Sequence, residues 1–262
     1  MRRTPSRRPS LRVERALQRE GHRVLAGMEG VGRGALAGPV TVGVVIIDES
    51  CGTAPQGVKD SKLLVPHART AMVPRIERWA VAHGVGNASA AEIDDISIIA
   101  ALRVAGVRAL AEAGIRPDLV ILDGNHDWLT APQDVGLFAF ADDGPAATPP
   151  VSTMIKADLK CSSVAAASVL AKVRRDAIMA GLGEQHPAYG WGENKGYAAP
   201  GHLDALRRLG PCELHRRSWR LPGVMNDDGV VAADAAVPTD APDVNDVDAM
   251  NAVDDLTRVG ER

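Results

Sequence analysis

Hydrophobic and polar positions change period several times along the chain. From residue 22, "HRVLAGMEGVGRGALAGPVTVGVVIID" reads as strand, glycine turn and strand, a hairpin whose tight bends need small residues. The stretch "APQGVKDSKLLVP" is a Gly-bearing loop leading into a moderately amphipathic helix from about Pro66 to Ala82. In "DDISIIAALRVAGVRALAEAG" Ile and Leu recur three and four apart, which predicts a helix, and "PDLVILDG" predicts a buried strand ending at Asp123. A polar, proline-bearing connection covers 128 to 150. Beyond it, "VSTMIKAD" reads as a strand, "CSSVAAASVLAKVRRDAIMAGLG" as a long Ala-rich helix and "PGHLDALRRLG" as a shorter one. Strands and helices mixed in this order indicate an α/β domain, not a helix bundle or a β-sandwich.

The ends are read differently. Residues 1 to 10 are expected to be disordered, with "SLRVERALQRE" opening a short helix capped by Ser10. Beyond about Met225 the chain is mostly Asp, Ala, Val and Pro, with too few large apolar residues to pack, and is expected to be a disordered acidic tail. The expected organisation is therefore a basic N-terminal arm over 1–20, a folded domain over 21–224 and an acidic tail over 225–262.

Charge sharpens this division. The formal net charge is -3 over 262 residues, but residues 225–262 hold 10 acidic and 2 basic side chains, while the first twenty hold 7 Arg and 2 Glu. The body between them is neutral overall, and a neutral body with clustered Arg and Lys can still bind a polyanion locally. No apolar run approaches the roughly 18 residues needed to span a bilayer, so no membrane partner is expected. The N-terminus lacks the apolar segment of a secretory signal. Cys51, Cys161 and Cys212 are far apart without a CxxC pair, which suits free thiols in a reducing cytosol, and a cytoplasmic protein is expected. His126 and His186 do not have metal-ligand spacing with each other.

Candidate chemistry lies in carboxylates. Asp123 ends an apolar strand before Gly124, a placement that points a carboxylate into a cleft at the strand's C-terminal edge. Asp158 stands between Lys156 and Lys160, just ahead of the small-residue helix, and Glu29 stands three residues before the Gly32-Arg33-Gly34 turn. Taken singly, each Asp reads first as a turn or cap residue. The glycine turn reads equally as a plain bend, since it lacks the Lys-Ser/Thr of a P-loop and the spacing of a dinucleotide fingerprint. Tyr197 by itself reads as a core or surface tyrosine.

Taken together, "VGRGALAGPV", "VKDSKLL", "EIDDISIIAALRVAGVRAL", "LVILDG", "IKADLKCSSVAAASVLAKVRRDAIM", "HPAYGWGENKGYAAPGHLDALRRLGP" and "HRRSW" resemble bacterial ribonuclease HII, in family order, over roughly residues 23 to 220. The resemblance implies an RNase H-like fold, a central mixed sheet flanked by helices with a small C-terminal helical part. It implies a ribonuclease H type 2 endoribonuclease that cleaves the RNA strand of RNA/DNA hybrids and nicks duplex DNA 5′ of an embedded ribonucleotide, and a monomer is expected. The family's four carboxylates are an adjacent Asp-Glu pair before the glycine turn, an Asp ending a later strand and an Asp before the Ala-rich helix. Two divalent ions, Mg²⁺ or Mn²⁺, are implied as cofactors.

Aligned without gaps, the pair falls on Glu29 and Gly30, and the later two fall on Asp123 and Asp158. Glu29, Asp123 and Asp158 are thus the expected catalytic and metal-binding residues, with Gly30 an altered ligand position. Glu in place of Asp pushes the carboxylate out by about 1 Å, and a misplacement of that size costs about 100-fold; Mg²⁺ demands a tight shell at about 2.1 Å. Gly30 supplies no ligand at all. Impaired turnover is therefore expected, and the alternative is a non-catalytic binder of RNA/DNA hybrid or ribonucleotide-containing duplex. The resemblance assigns substrate binding to Gly32, Arg33 and Gly34, whose backbone meets the ribose and its 2′-OH, and to Asp60, Ser61 and Lys62 near the phosphate backbone. It assigns Tyr197 to the deoxyribose beside the ribonucleotide. Lys156, Lys160, Lys172 and Lys195 are candidates for phosphate contact, and Arg216 and Arg217 for phosphate contact or anchoring of the C-terminal segment. The acidic tail, outside the resemblance, is expected either to repel nucleic acid or to have no role.

Overall fold

A computed structural model describes residues 8–131 and 148–222. The expected tail over 225–262, the first seven residues and most of the connection over 128–150 lie outside the described residues.

A five-stranded mixed sheet forms the centre, with strand order β3-β2-β1-β4-β5. Strand β2 (Val40–Ile47) runs antiparallel to both its neighbours, β1 (Leu25–Val31) and β3 (Ala82–Ala88). Strands β4 (Leu119–Asp123) and β5 (Val151–Met154) continue the sheet parallel to β1. Every residue of β2, "VTVGVVII", is buried because helices cover both faces of this inner strand. On one face α3 (Ala90–Ala113) packs Leu102, Ala105 and Ala109 against Met28, Val42 and Val44. On the other, α4 (Ser162–Gln185) packs Ala165, Ala166, Ala167 and Val169 against Leu25, Val45 and Ile47, together with α2 (Pro66–Trp79). The run of small residues that marked α4 in the sequence is what lets the helix lie close to the strands.

Strand β3 is the element the apolar pattern did not predict. The apolar pattern carries the helix on to about Ala82 and assigns no strand to "AHGVGNA", but α2 stops at Trp79 and the chain re-enters the sheet at Ala82. The N-terminal α1 (Arg12–Arg19) is present, with Leu11 at its cap position and no side-chain cap bond; Ser10, the expected cap, instead donates its amide to the Lys160 carbonyl at 3.0 Å. Glu14 of α1 is fully buried and accepts from the Ser163 amide and hydroxyl at 3.0 and 2.9 Å, so α1 caps the start of α4. The C-terminal helical part, α5 (Trp191–Asn194) and α6 (Pro200–Leu209), builds its own small core with Leu36, Met179, Tyr189 and Leu206. No helix among the described residues is long and apolar enough to cross a membrane.

Candidate active site

The parallel register of β1 on β4 pairs Met28 with Leu122, and its next step sets Glu29 beside Asp123 at the C-terminal edge of both strands. Beyond β5 the chain reverses through Lys156, which is left-handed with φ 56°, into a short 3-10 turn over Ala157–Leu159 that carries Asp158. The Ala157 amide donates to Asp123 Oδ1 at 2.6 Å, which draws this turn onto the end of β4. Two strand ends and one turn thus bring the three expected carboxylates together.

Their electrostatics show how tightly they are gathered. Glu29 is held well above the usual carboxylate range by burial, then by the charges of Asp123 and Asp158. Asp158 is pushed up to about 7 by burial and by the charges of Asp60 and Asp123, with Lys62 opposing. A fourth carboxylate therefore belongs to the same neighbourhood. Asp60 is buried, accepts from the Lys62 amide at 3.0 Å, and shares a side-chain hydrogen bond with Asp158. Its "KDSK" context pointed to phosphate and gave no hint of this contact, because the pairing joins segments nearly a hundred residues apart.

Divalent cations with hard oxygen ligands suit such a donor set. The carboxylate oxygen Oε2 of Glu29 is buried with no hydrogen-bond partner, the state expected of a group meant for a ligand the chain does not itself supply. Among the described residues, however, no group of three or more His, Cys, Asp or Glu side chains is arranged as a ready-made metal shell. The donors fit in chemistry and neighbourhood but must rearrange to close on an ion. Gly30 contributes nothing to them. A Cβ at this position would lie 2.9 Å from Leu102 Cδ2 and 3.8 Å from Trp128 and Val42, on the apolar α3 face.

The glycine turn lies beside this edge. Gly32 has φ +83°, and a Cβ there would fall 2.0 Å from Arg175 Nε, so only glycine fits. Arg216, fully buried, donates to the carbonyls of Gly32 and Arg33 at 2.6 Å each and to Gly38 at 3.2 Å. It ties the C-terminal segment to the turn, the anchoring role its sequence context left open beside phosphate contact. Tyr197 is half-buried with Arg175 and Lys172 over its ring, at 5.3 and 5.9 Å from the centroid. Ser61 is turned inward, its hydroxyl accepting from Ser168 at 2.7 Å, while Lys62 is exposed beside the carboxylates. Among the other candidate lysines, Lys172 pairs with Asp176 at 3.2 Å, Lys160 donates to the Ile155 carbonyl at 2.7 Å and Lys195 to the Gly192 carbonyl; Lys156 is exposed.

Behind Tyr197 lies a buried pair that the sequence reading passed over. The Cys212 amide can only donate, so His215 Nδ1 accepts it at 3.1 Å and the ring proton sits on Nε2. That proton faces His202 Nε2 at 3.0 Å, an atom that also accepts from Trp191 Nε1 at 3.1 Å. His202 therefore carries its proton on Nδ1, which donates to the Tyr197 carbonyl at 2.8 Å. Both rings are neutral in this chain of bonds, and burial depresses both, His215 to about 4. The "GH" of residues 201–202 and the "LHR" of residues 214–216 were available in the sequence, but only the folded C-terminal part sets them face to face.

A mixed five-stranded sheet between helices, with acidic side chains at the C-terminal edge of its parallel strands, defines an RNase H-like fold. The ribonuclease HII family model matches residues 26–221. Ribonuclease HII of Streptomyces avermitilis is 44% identical over 216 residues, covering 82% of this chain and 85% of the relative. That of Nitrosococcus oceani is 44% identical over 200 residues, covering 76% and 90%. Among solved structures, ribonuclease H2 from Pyrococcus horikoshii superposes with TM-score 0.56 at 26% identity, covering 75% of this chain and 93% of that one. The RNase HII in a complex with PCNA from Archaeoglobus fulgidus gives TM-score 0.55 at 26% identity, with the same coverage. The chain belongs to the ribonuclease HII family, and its class is that of a ribonuclease H-type hydrolase.

Proposed function

We propose that this protein is an endonuclease acting on the RNA strand of RNA/DNA hybrids and on the 5′ side of ribonucleotides embedded in duplex DNA, with turnover reduced by Glu29 and Gly30. The observation that carries the reading is the meeting, at one sheet edge, of Glu29, Asp123 and Asp158 with the Gly32–Gly34 turn.

In this reading each group has a stated task. The turn brings backbone close to the sugar, where a 2′-OH can both donate and accept, and Tyr197 packs against the neighbouring deoxyribose. Lys62, exposed beside the carboxylates, meets the phosphate backbone. Glu29, Asp123 and Asp158 would hold divalent cations, Mg²⁺ or Mn²⁺, which supply charge stabilisation at the scissile phosphate. Burial first, and then repulsion from neighbouring carboxylates, raises Asp158 and Glu29, and bound cations would relieve the repulsion. Asp60, hydrogen-bonded to Asp158, fixes that carboxyl's orientation at the start of the turn.

Gly30 supports a second reading, a binder that recognises ribonucleotide-containing duplex without turning it over. Both are separated by incubating the protein with a duplex carrying one ribonucleotide, in Mg²⁺ and in Mn²⁺. A single nick 5′ of the ribonucleotide is the expected product. Ribonucleotide-dependent binding with no product in either metal would replace the first reading by the second.

A further inference from the structure

Arg175 is fully buried on α4, and its guanidinium spans two segments of distant sequence. Nε donates to the Pro39 carbonyl at 2.9 Å and Nη2 to Ala37 at 3.3 Å, both on the chain leaving the glycine turn. Nη1 donates to the Lys195 carbonyl at 2.9 Å, two residues before Tyr197, and the guanidinium carbon stands 5.3 Å from the centre of the Tyr197 ring. On its other side the same group fills the space where a side chain at Gly32 would be. One planar ion therefore touches the ribose-facing turn, the segment carrying Tyr197 and the tyrosine ring itself.

We propose that Arg175 is a positioning residue for ribonucleotide specificity, setting the spacing between the Gly32–Gly34 turn and Tyr197. This deepens the reading above and rests on it. Recognition of an RNA-to-DNA junction compares two adjacent sugars, so its accuracy depends on the separation of the two groups that meet them. A guanidinium can fix that separation because its donors lie in one rigid plane, and a ring can stack on its face. Lysine offers the same charge from a single flexible point. Adjacency itself has another support, since Leu36 and Ala37 donate their amides to the Gly196 carbonyl at 2.8 and 3.3 Å. Loss of the fork should therefore loosen the spacing without separating the segments.

The test compares binding to duplexes carrying one ribonucleotide or none, without divalent cation, for the wild type, Arg175→Lys, Tyr197→Leu and the double variant, with melting curves for each. The wild type should prefer the ribonucleotide duplex. Arg175→Lys should lower that preference by about tenfold, the scale of one charge-assisted hydrogen bond, and the double variant should fall no further than the weaker single one. A folded Arg175→Lys protein with undiminished preference, or losses that simply multiply, would overturn the positioning role alone. A wild type without preference would remove the ribonucleotide reading and this role with it. Should Arg175→Lys fail to fold, the Nε–H resonance of Arg175 in the wild type decides: it should shift on adding the ribonucleotide duplex and stay in place with all-DNA duplex, and equal responses would overturn the proposal.

Discussion

At position 30 the strand alternation that aims Glu29 at the acidic edge turns the missing side chain toward Leu102, Trp128 and Val42. A glutamate there would start from an apolar surface and curl back around the strand end, displacing only Leu102 Cδ2, the tip of a flexible side chain. Gly30→Glu is therefore expected to fold, to melt within a few degrees of the parent, and to tighten Mn²⁺ binding about tenfold as read by calorimetry. Unchanged affinity would place position 30 outside the metal's reach. Glu29 and Gly30 were legible only through the family resemblance, which sets the acidic pair on them just ahead of the glycine turn. Their opposite orientations were not, because facing depends on register with β2 and β4. Asp60 escaped for a related reason: its partner Asp158 arrives from another segment, and one-dimensional spacing carries no trace of it.

The same contrast holds for whole elements. Helices α3 and α4, the hairpin β1–β2 and strand β4 followed from apolar period and turn residues, whereas β3 did not. Its Gly84 and Gly86 broke the apolar alternation for the reason that α3 lies almost on the strand: a Cβ at Gly86 would come 2.0 Å from the Ala105 carbonyl oxygen. Backbone cannot yield as a side-chain tip can, so Gly86→Ala is expected to cost about 3 kcal/mol in urea denaturation. Gly201→Ala in α6, with nothing within 4 Å, should be neutral or gain up to about 1 kcal/mol. Equal effects would mean that β3 and α3 are not packed so closely.

The His202–His215 pair makes a further element-scale expectation, for the C-terminal helical part. Both imidazoles are depressed in the fold, His215 from the ordinary value to about 4, so between about 6.5 and 4 the unfolded chain takes up protons that the native one refuses. Their contribution is complete above about 6.5 and is lost as pH falls through that window. Glu29 and Asp158, raised in the fold, act in the opposite direction, so the pair shows as a difference: on acidification from pH 7 to 4.5 the parent should lose more melting temperature, or gain less, than His215→Asn. A slope identical in the variant would assign the acid sensitivity to other groups.

At the scale of the molecule, the sheet serves as a frame with two differently used faces. One is apolar throughout against α3, and the other runs out, at its strand ends, into carboxylates, the glycine turn and the C-terminal part that carries Tyr197. The acidic residues of 225–262 carry charge of the sign that repels a polyanion. Removing them should tighten nucleic-acid binding several-fold at low salt, with the difference fading as the Debye length shrinks to about 3 Å at 1 M. No change at low salt would show that the tail's charge does not reach the binding face. The overall architecture could be anticipated because motifs in family order fix it, while the buried ties that join distant motifs, Arg175 and the histidine pair among them, emerge only when the segments are folded together.

The most direct measurement compares cleavage of a duplex bearing one ribonucleotide by the wild type and by Glu29→Asp/Gly30→Glu, at equal concentration in Mg²⁺. A nick at the same 5′ position, formed about 100-fold faster by the double variant, is the expected result. A double variant that folds yet cuts no faster would contradict the claim that these carboxylates, at this sheet edge, set the rate.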